Sequence, residues 1–167
     1  QGFVGQFTSG SGDDVITSSE DTILGAYLYG DINTGKGNDT ITLDGEINWK
    51  TNIRLGEGND NMTINGGSRY ASYYSPSSIY GNGGNDTITV SGDKETNVRI
   101  FLGDGNDILN ASAANTPTVT TDGATHYFSA YGEAGNDTLI GNDDNNHFGG
   151  GDGDDLIYAG GSGGTET

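Results

Sequence analysis

There is no cysteine in this chain, so no disulfide framework can hold it together. Lysine and arginine together number six against 24 acids, and the net charge is −18. A balance so acidic argues against nucleic acid and anionic membrane surfaces as partners. No apolar run is long enough to span a membrane, and no signal peptide is visible, so membrane insertion is not expected. Histidine is scarce as well. His126 and His147 have no partner Ser, Cys or metal cluster nearby in sequence and read as surface or loop residues. Hydrophobic residues make up only 31%, close to the composition of a disordered chain.

What is abundant is glycine, 31 residues of it, and the glycines are not scattered. The hexapeptide Gly37-Asn38-Asp39-Thr40-Ile41-Thr42 returns as Gly84-Asn85-Asp86-Thr87-Ile88-Thr89. The shorter form Gly-x-Asp-x-apolar occurs seven times, with its acids at Asp14, Asp39, Asp60, Asp86, Asp107, Asp137 and Asp155. In five of the seven another glycine stands two residues earlier. Glycine permits positive φ and leaves backbone carbonyls uncovered, the Asp adds a carboxylate, and the apolar residue starts a strand. Carbonyls and carboxylates without His or Cys form a hard oxygen site suited to Ca²⁺, which takes roughly six to eight oxygens. One loop cannot supply so many, so each loop reads as a half-site and the metal as lying between successive turns.

The motif resembles Gly-Gly-x-Gly-x-Asp-x-U-x, with U apolar, the nonapeptide of the RTX haemolysin-type calcium-binding repeats. The resemblance implies an all-β fold, a right-handed parallel β-roll or β-solenoid with Ca²⁺ stacked between turns along one edge. It implies metal ligation by the seven Asp residues named above. The loop carbonyls would come from 9–12, 34–37, 55–58, 81–84, 102–105, 132–135 and 150–153. The glycines of those loops are Gly10, Gly12, Gly35, Gly37, Gly56, Gly58, Gly81, Gly84, Gly103, Gly105, Gly132, Gly135, Gly151 and Gly153. About six Ca²⁺ ions would offset most of the negative charge, and metal would replace disulfides as the staple.

The family spacing is nine residues, whereas the Asp-to-Asp gaps here are 25, 21, 26, 21, 30 and 18. Most turns are therefore expected to carry a metal loop on one edge and a variable connection on the other. Only Asp137, Asn146 and Asp155 run at nine; Asn146 replaces Asp there, and Phe148 keeps the apolar place. Residues 37–60 align with 84–107 at 13 identities of 24, so the repeating unit is a pair of turns. The whole chain, 1–167, reads as a single module. Residues 1–9 form a lead-in, with Phe3 and Phe7 available to cover the open end. Long turns fill 10–136, tight repeats 137–161 and a tail 162–167, as in a module excised from a longer chain with neighbouring domains.

Two inward columns are expected. Seven residues before the Asps stand Phe7, Ile32, Ile53, Ile79, Ile100 and Ala130. Two after them stand Ile16, Ile41, Met62, Ile88, Leu109, Leu139 and Ile157. Outward lie Thr17, Thr42, Thr63, Thr89 and Asn110, flanked by Thr40 and Thr87, and on the other sheet Asn33, Arg54, Tyr80, Phe101 and Tyr131. Tyr70, Tyr73 and Tyr74 are nearby in sequence.

The Gly-x-Gly loops lack the Lys and the βαβ context of a phosphate loop. Asp143-Asp144-Asn145 lacks the Gly and closing Glu of an EF-hand. Arg54 and Arg99 read as balancing local acids rather than as catalytic groups, so no enzyme is expected. The Asn-x-Thr sequons at Asn38 and its copies are by-products of the repeat. The resemblance implies an extracellular, secreted or cell-surface calcium-binding structural or adhesion module. It leaves open carbohydrate binding, as in the β-roll modules of alginate epimerases, ice binding by the Thr columns, or another surface partner.

Overall fold

The computed structural model describes residues 6–18, 31–45, 47, 51–66, 77–92, 98–114, 128–142, 146–160 and 165–166. Among these residues the regular elements are all strands. In chain order they are β1 (Phe7–Thr8), β2 (Val15–Ser18), β3 (Asp31–Asn33), β4 (Thr40–Leu43), β5 (Asn52–Glu57), β6 (Asn61–Ile64), β7 (Ser77–Gly83) and β8 (Thr87–Val90). Then follow β9 (Val98–Asp104), β10 (Ile108–Asn110), β11 (Phe128–Ala134), β12 (Thr138–Ile140), β13 (Asn146–Asp152), β14 (Leu156–Tyr158) and β15 (Thr165–Glu166). Odd-numbered strands form one eight-stranded parallel sheet in chain order, and even-numbered strands form a seven-stranded parallel sheet. Each turn of the chain contributes one strand to each sheet, so the molecule is a parallel β-roll.

The register follows the Asp frame. Ile32, Ile53, Ile79, Ile100, Ala130 and Phe148 pair rung to rung in the first sheet. Ile16, Ile41, Met62, Ile88, Leu109, Leu139 and Ile157 do the same in the second. Both columns face inward, and their interior members are fully buried. Each such Ile or Leu contributes about 1.5–3 kcal/mol by leaving water. Phe7 lies at the head of its column but is 41% exposed, and Phe3 lies outside the described residues.

The interior is wider than two columns. Leu43, Ile64, Val90, Ala111 and Ala159, four residues after their Asps, form a further buried column. Leu55 and Leu102 are buried five residues before theirs, and Thr51, Ser77, Val98, Phe128 and Asn146 nine before. Asn146 is thus an interior residue, 2% exposed, whose Nδ2 donates to the carbonyls of Asn142 (2.9 Å) and Ala159. Phe148 packs inward, edge-on to Phe128 at 5.9 Å.

The far edge is more regular than the sequence suggests. Gly45, Gly66 and Gly92 stack so closely that a Cβ on Gly66 would strike the Gly45 carbonyl, and one on Gly92 the Gly66 carbonyl. Beside them the Asn65 amide donates to Asp44 at 2.7 Å, and the Ser91 hydroxyl to Asn65 at 2.9 Å. Variable connections begin only after these shared turns. The stretches 67–76 and 115–127, with Tyr70, Tyr73, Tyr74 and His126, lie outside the described residues.

Candidate metal edge

Every loop joining an odd strand to the following even strand has the same backbone. The residues four and two before the Asp have positive φ in all seven loops, from Gly10 and Gly12 to Gly151 and Gly153. Two of these positions carry side chains: Asn82 and Glu133, both at φ 75. Gly81 and Gly132 stand one place earlier and are not left-handed. Asn tolerates the left-handed region better than most residues; Glu133 does not, and the repeat frame sets it where five of the seven loops have glycine. The glycine two before the Asp is demanded by the neighbouring turn as well. A Cβ on Gly37, Gly58, Gly84, Gly105, Gly135 or Gly153 would overlap the carbonyl of the equivalent glycine one turn back.

The acids themselves form a ladder. The backbone N–H of Asp14 donates to Oδ1 of Asp39 at 2.8 Å, that of Asp39 to Asp60, and so on through Asp86, Asp107 and Asp137 to Asp155. One carboxylate oxygen per turn is thereby satisfied. The other is not: Oδ2 of Asp14, Asp39, Asp60, Asp86, Asp107 and Asp137 is buried without a hydrogen-bond partner. Six buried carboxylate oxygens in file are too costly to leave bare, since each loses its hydration and must take up a cation or a proton in its place.

A second ladder runs beside the first in the opposite sense. The residue before each Asp accepts from the next turn: Asn38 N–H donates to Asp13, Asn59 to Asn38, Asn85 to Asn59, Asn106 to Asn85, Asn136 to Asn106 and Asp154 to Asn136, at 2.7–2.8 Å. The sequence reading left this position as x. The signal was there, because the five interior residues are Asn and only the two terminal ones are Asp. A neutral acceptor holds the turns together without adding charge next to the buried acids.

Burial dominates the acid–base behaviour. It pushes the Asp86 carboxyl up to about 7 and Asp107 up to about 6. The bond from the preceding Asp N–H opposes the shift, and neighbouring carboxylates reinforce it. Asp60 and Asp137 are raised for the same first reason.

The residues fit a hard cation. Among the described residues no three His, Cys, Asp or Glu side chains converge on one point. A bound ion would therefore draw on backbone carbonyls together with the file of Asp Oδ2 atoms. Oxygens of both kinds meet where glycine stands five before the Asp. A Cβ on Gly81 would overlap both Asp86 Oδ2 and the Leu102 carbonyl of the next turn, and one on Gly132 both Asp137 Oδ2 and the Gly150 carbonyl. At Gly150 it would overlap Asp155 Oδ2. A carboxylate oxygen and, at Gly81 and Gly132, a carbonyl oxygen of the next turn thus lie together against a glycine, where no side chain fits.

This edge matches a known pattern. The family model of the RTX calcium-binding nonapeptide repeat matches residues 77–93, 95–115 and 131–165, in four copies. The chain carries RTX calcium-binding repeats. Comparison with curated proteins and with solved structures returns no match. The matched RTX spans contain the loops of Asp86, Asp107, Asp137 and Asp155. The loops of Asp14, Asp39 and Asp60 lie before them, yet they share the same left-handed pair and the same ladders. As an RTX repeat protein the chain is a calcium-binding structural module.

Proposed function

We propose that the chain is a Ca²⁺-folded structural segment of a secreted bacterial surface adhesin, with about six ions in single file along the Asp edge. The observation that carries the reading is the row of partnerless buried Oδ2 atoms on Asp14, Asp39, Asp60, Asp86, Asp107 and Asp137. The chain's own residues divide the work. The Asp Oδ1 atoms and the Asn ladder set turn-to-turn register, the left-handed glycines aim carbonyls at the edge, and Oδ2 is left for metal. Bound Ca²⁺ would supply positive charge and oxygen coordination. Without it, buried acids in a chain of net charge −18 oppose folding. A segment of this kind stays unfolded where Ca²⁺ is scarce, is exported through a type I secretion channel, and folds outside the cell. The role is structural rather than catalytic. The threonine column gives way to Ile140 and Tyr158 after Asn110, which favours this reading over an ice-matching array.

The test is circular dichroism with and without Ca²⁺. In EGTA the chain is expected to be largely disordered, and β structure should appear cooperatively as Ca²⁺ is added. A β spectrum that chelation leaves unchanged would overturn the reading.

A further inference from the structure

The outer face of the eight-stranded sheet carries Asn33, Arg54, Tyr80, Phe101, Tyr131 and Gly149 in one register column. Its three rings stack. Tyr80 and Phe101 have centroids 5.2 Å apart and planes 9° apart, and Phe101 and Tyr131 5.3 Å and 16°. One end of the ring ladder is capped by a cation: the Arg54 guanidinium carbon lies 5.3 Å from the Tyr80 centroid, and Asp31 backs the guanidinium at 3.7 Å. At the other end Gly149 offers no side chain. The outer face of Tyr131 therefore opens on a depression of about 480 Å³ lined by Phe101, Tyr131, Glu133 and Gly149 to Gly151. Glu133 is exposed, two residues beyond Tyr131 on the same strand, and His147 stands edge-on to Tyr131 at 6.0 Å.

We propose that this slot receives an arginine side chain of a partner protein. The two ends of the ladder are chemically alike, an aromatic face with a carboxylate beside it, and at the first end the chain supplies its own arginine. A guanidinium is planar, stacks on an aromatic face and bonds a carboxylate through two N–H groups. A lysine ammonium is a more strongly hydrated point charge that neither stacks as a plane nor offers a two-pronged fork. Charge favours the same ligand, because a chain of net charge −18 stays acidic even after about six Ca²⁺ ions have offset most of that charge. The slot opens on a sheet face, and its far wall of Glu133, Gly150 and Gly151 belongs to the metal loops, so it is tested with Ca²⁺ bound; it does not depend on where the protein is exported.

The experiment is NMR titration of the Ca²⁺-loaded protein with Nα-acetyl-arginine amide, with Nα-acetyl-lysine amide and methyl glucoside run alongside. Saturable binding on the order of millimolar is expected for the arginine probe, with shifts at Tyr131 and Gly149, and weaker binding for the lysine probe. Glu133→Gln and Tyr131→Leu should each weaken it at least about fivefold. Gly149→Phe, which extends the ring stack into the slot, should abolish it. Circular dichroism establishes that each variant is folded, and if Gly149→Phe is not, Glu133→Gln carries the test. The proposal is overturned by no saturable arginine binding up to about 50 mM, by undiminished binding in the Glu133 variant, or by tighter binding of the glucoside.

Discussion

At the scale of single residues, the two oxygens of each edge Asp have different tasks. From Asp39 to Asp137, Oδ1 accepts the N–H of the preceding turn, which holds the carboxylate in one rotamer, and Oδ2 is thereby turned toward the loop. The sequence shows which acids recur but not this division, which needs the neighbouring turn. Gly132 tests it cleanly. Its φ is not positive, so Ala carries no left-handed penalty there, but the added Cβ overlaps Asp137 Oδ2 and the Gly150 backbone carbonyl and must push them apart. Gly132→Ala is expected to displace Ca²⁺ from that gap, raising the Ca²⁺ midpoint of folding by roughly three- to tenfold and removing about one ion from the stoichiometry. Isothermal titration calorimetry reads both. An unchanged count and midpoint would mean that this space holds no metal.

At the scale of the element, the Asp ladder behaves as a coupled acidic column. Asp86, raised to about 7, and Asp107, raised to about 6, keep a proton in the metal-free fold at pH values where the unfolded chain has lost it. A raised carboxyl contributes stability that is fully present below its ordinary value of 3.8 and is lost as pH rises through 6 and 7. In EGTA, β structure should therefore grow on acidification from about pH 8 to about pH 5. Ca²⁺ competes with the same protons, so its midpoint should fall as pH rises over that window. Asp86→Asn, which mimics the protonated acid, should flatten the metal-free response. Circular dichroism across pH decides the matter, and a metal-free signal that weakens toward acid would contradict the assigned burial.

At the scale of the whole molecule, stability passes from turn to turn. Parallel strands contact only the turns before and after, so the roll behaves as a one-dimensional stack. Asp86 is buried between Asp60 and Asp107, linked to each by the N–H ladder, whereas Asp14 is half-buried in the first loop. Asp86→Ala should consequently raise the Ca²⁺ midpoint several-fold more than Asp14→Ala, because it disturbs two gaps and divides the stack. Equal shifts in the two variants would argue that the turns bind metal independently.

The amino-acid pattern determined the stacked turns, their two apolar columns and the acid of each loop, and the family it resembles implied the parallel roll. Gly-x-Asp-x-apolar is a local signal, complete within a few residues, and its apolar positions at −7 and +2 lead directly to the two paired columns. Other features depend on which residue of one turn lies over which residue of the next, 18 to 30 positions away in the chain. Only the stacked structure could show that Leu55 and Leu102 join the core, that Asn146 cross-links the interior, and that Asn82 and Glu133 hold left-handed positions beside Gly81 and Gly132. The same is true of the opposed Asn and Asp ladders and of the open face of Tyr131. Each arises from contact across the 4.7–4.9 Å spacing of neighbouring strands, and that register is settled by the whole stack packing at once.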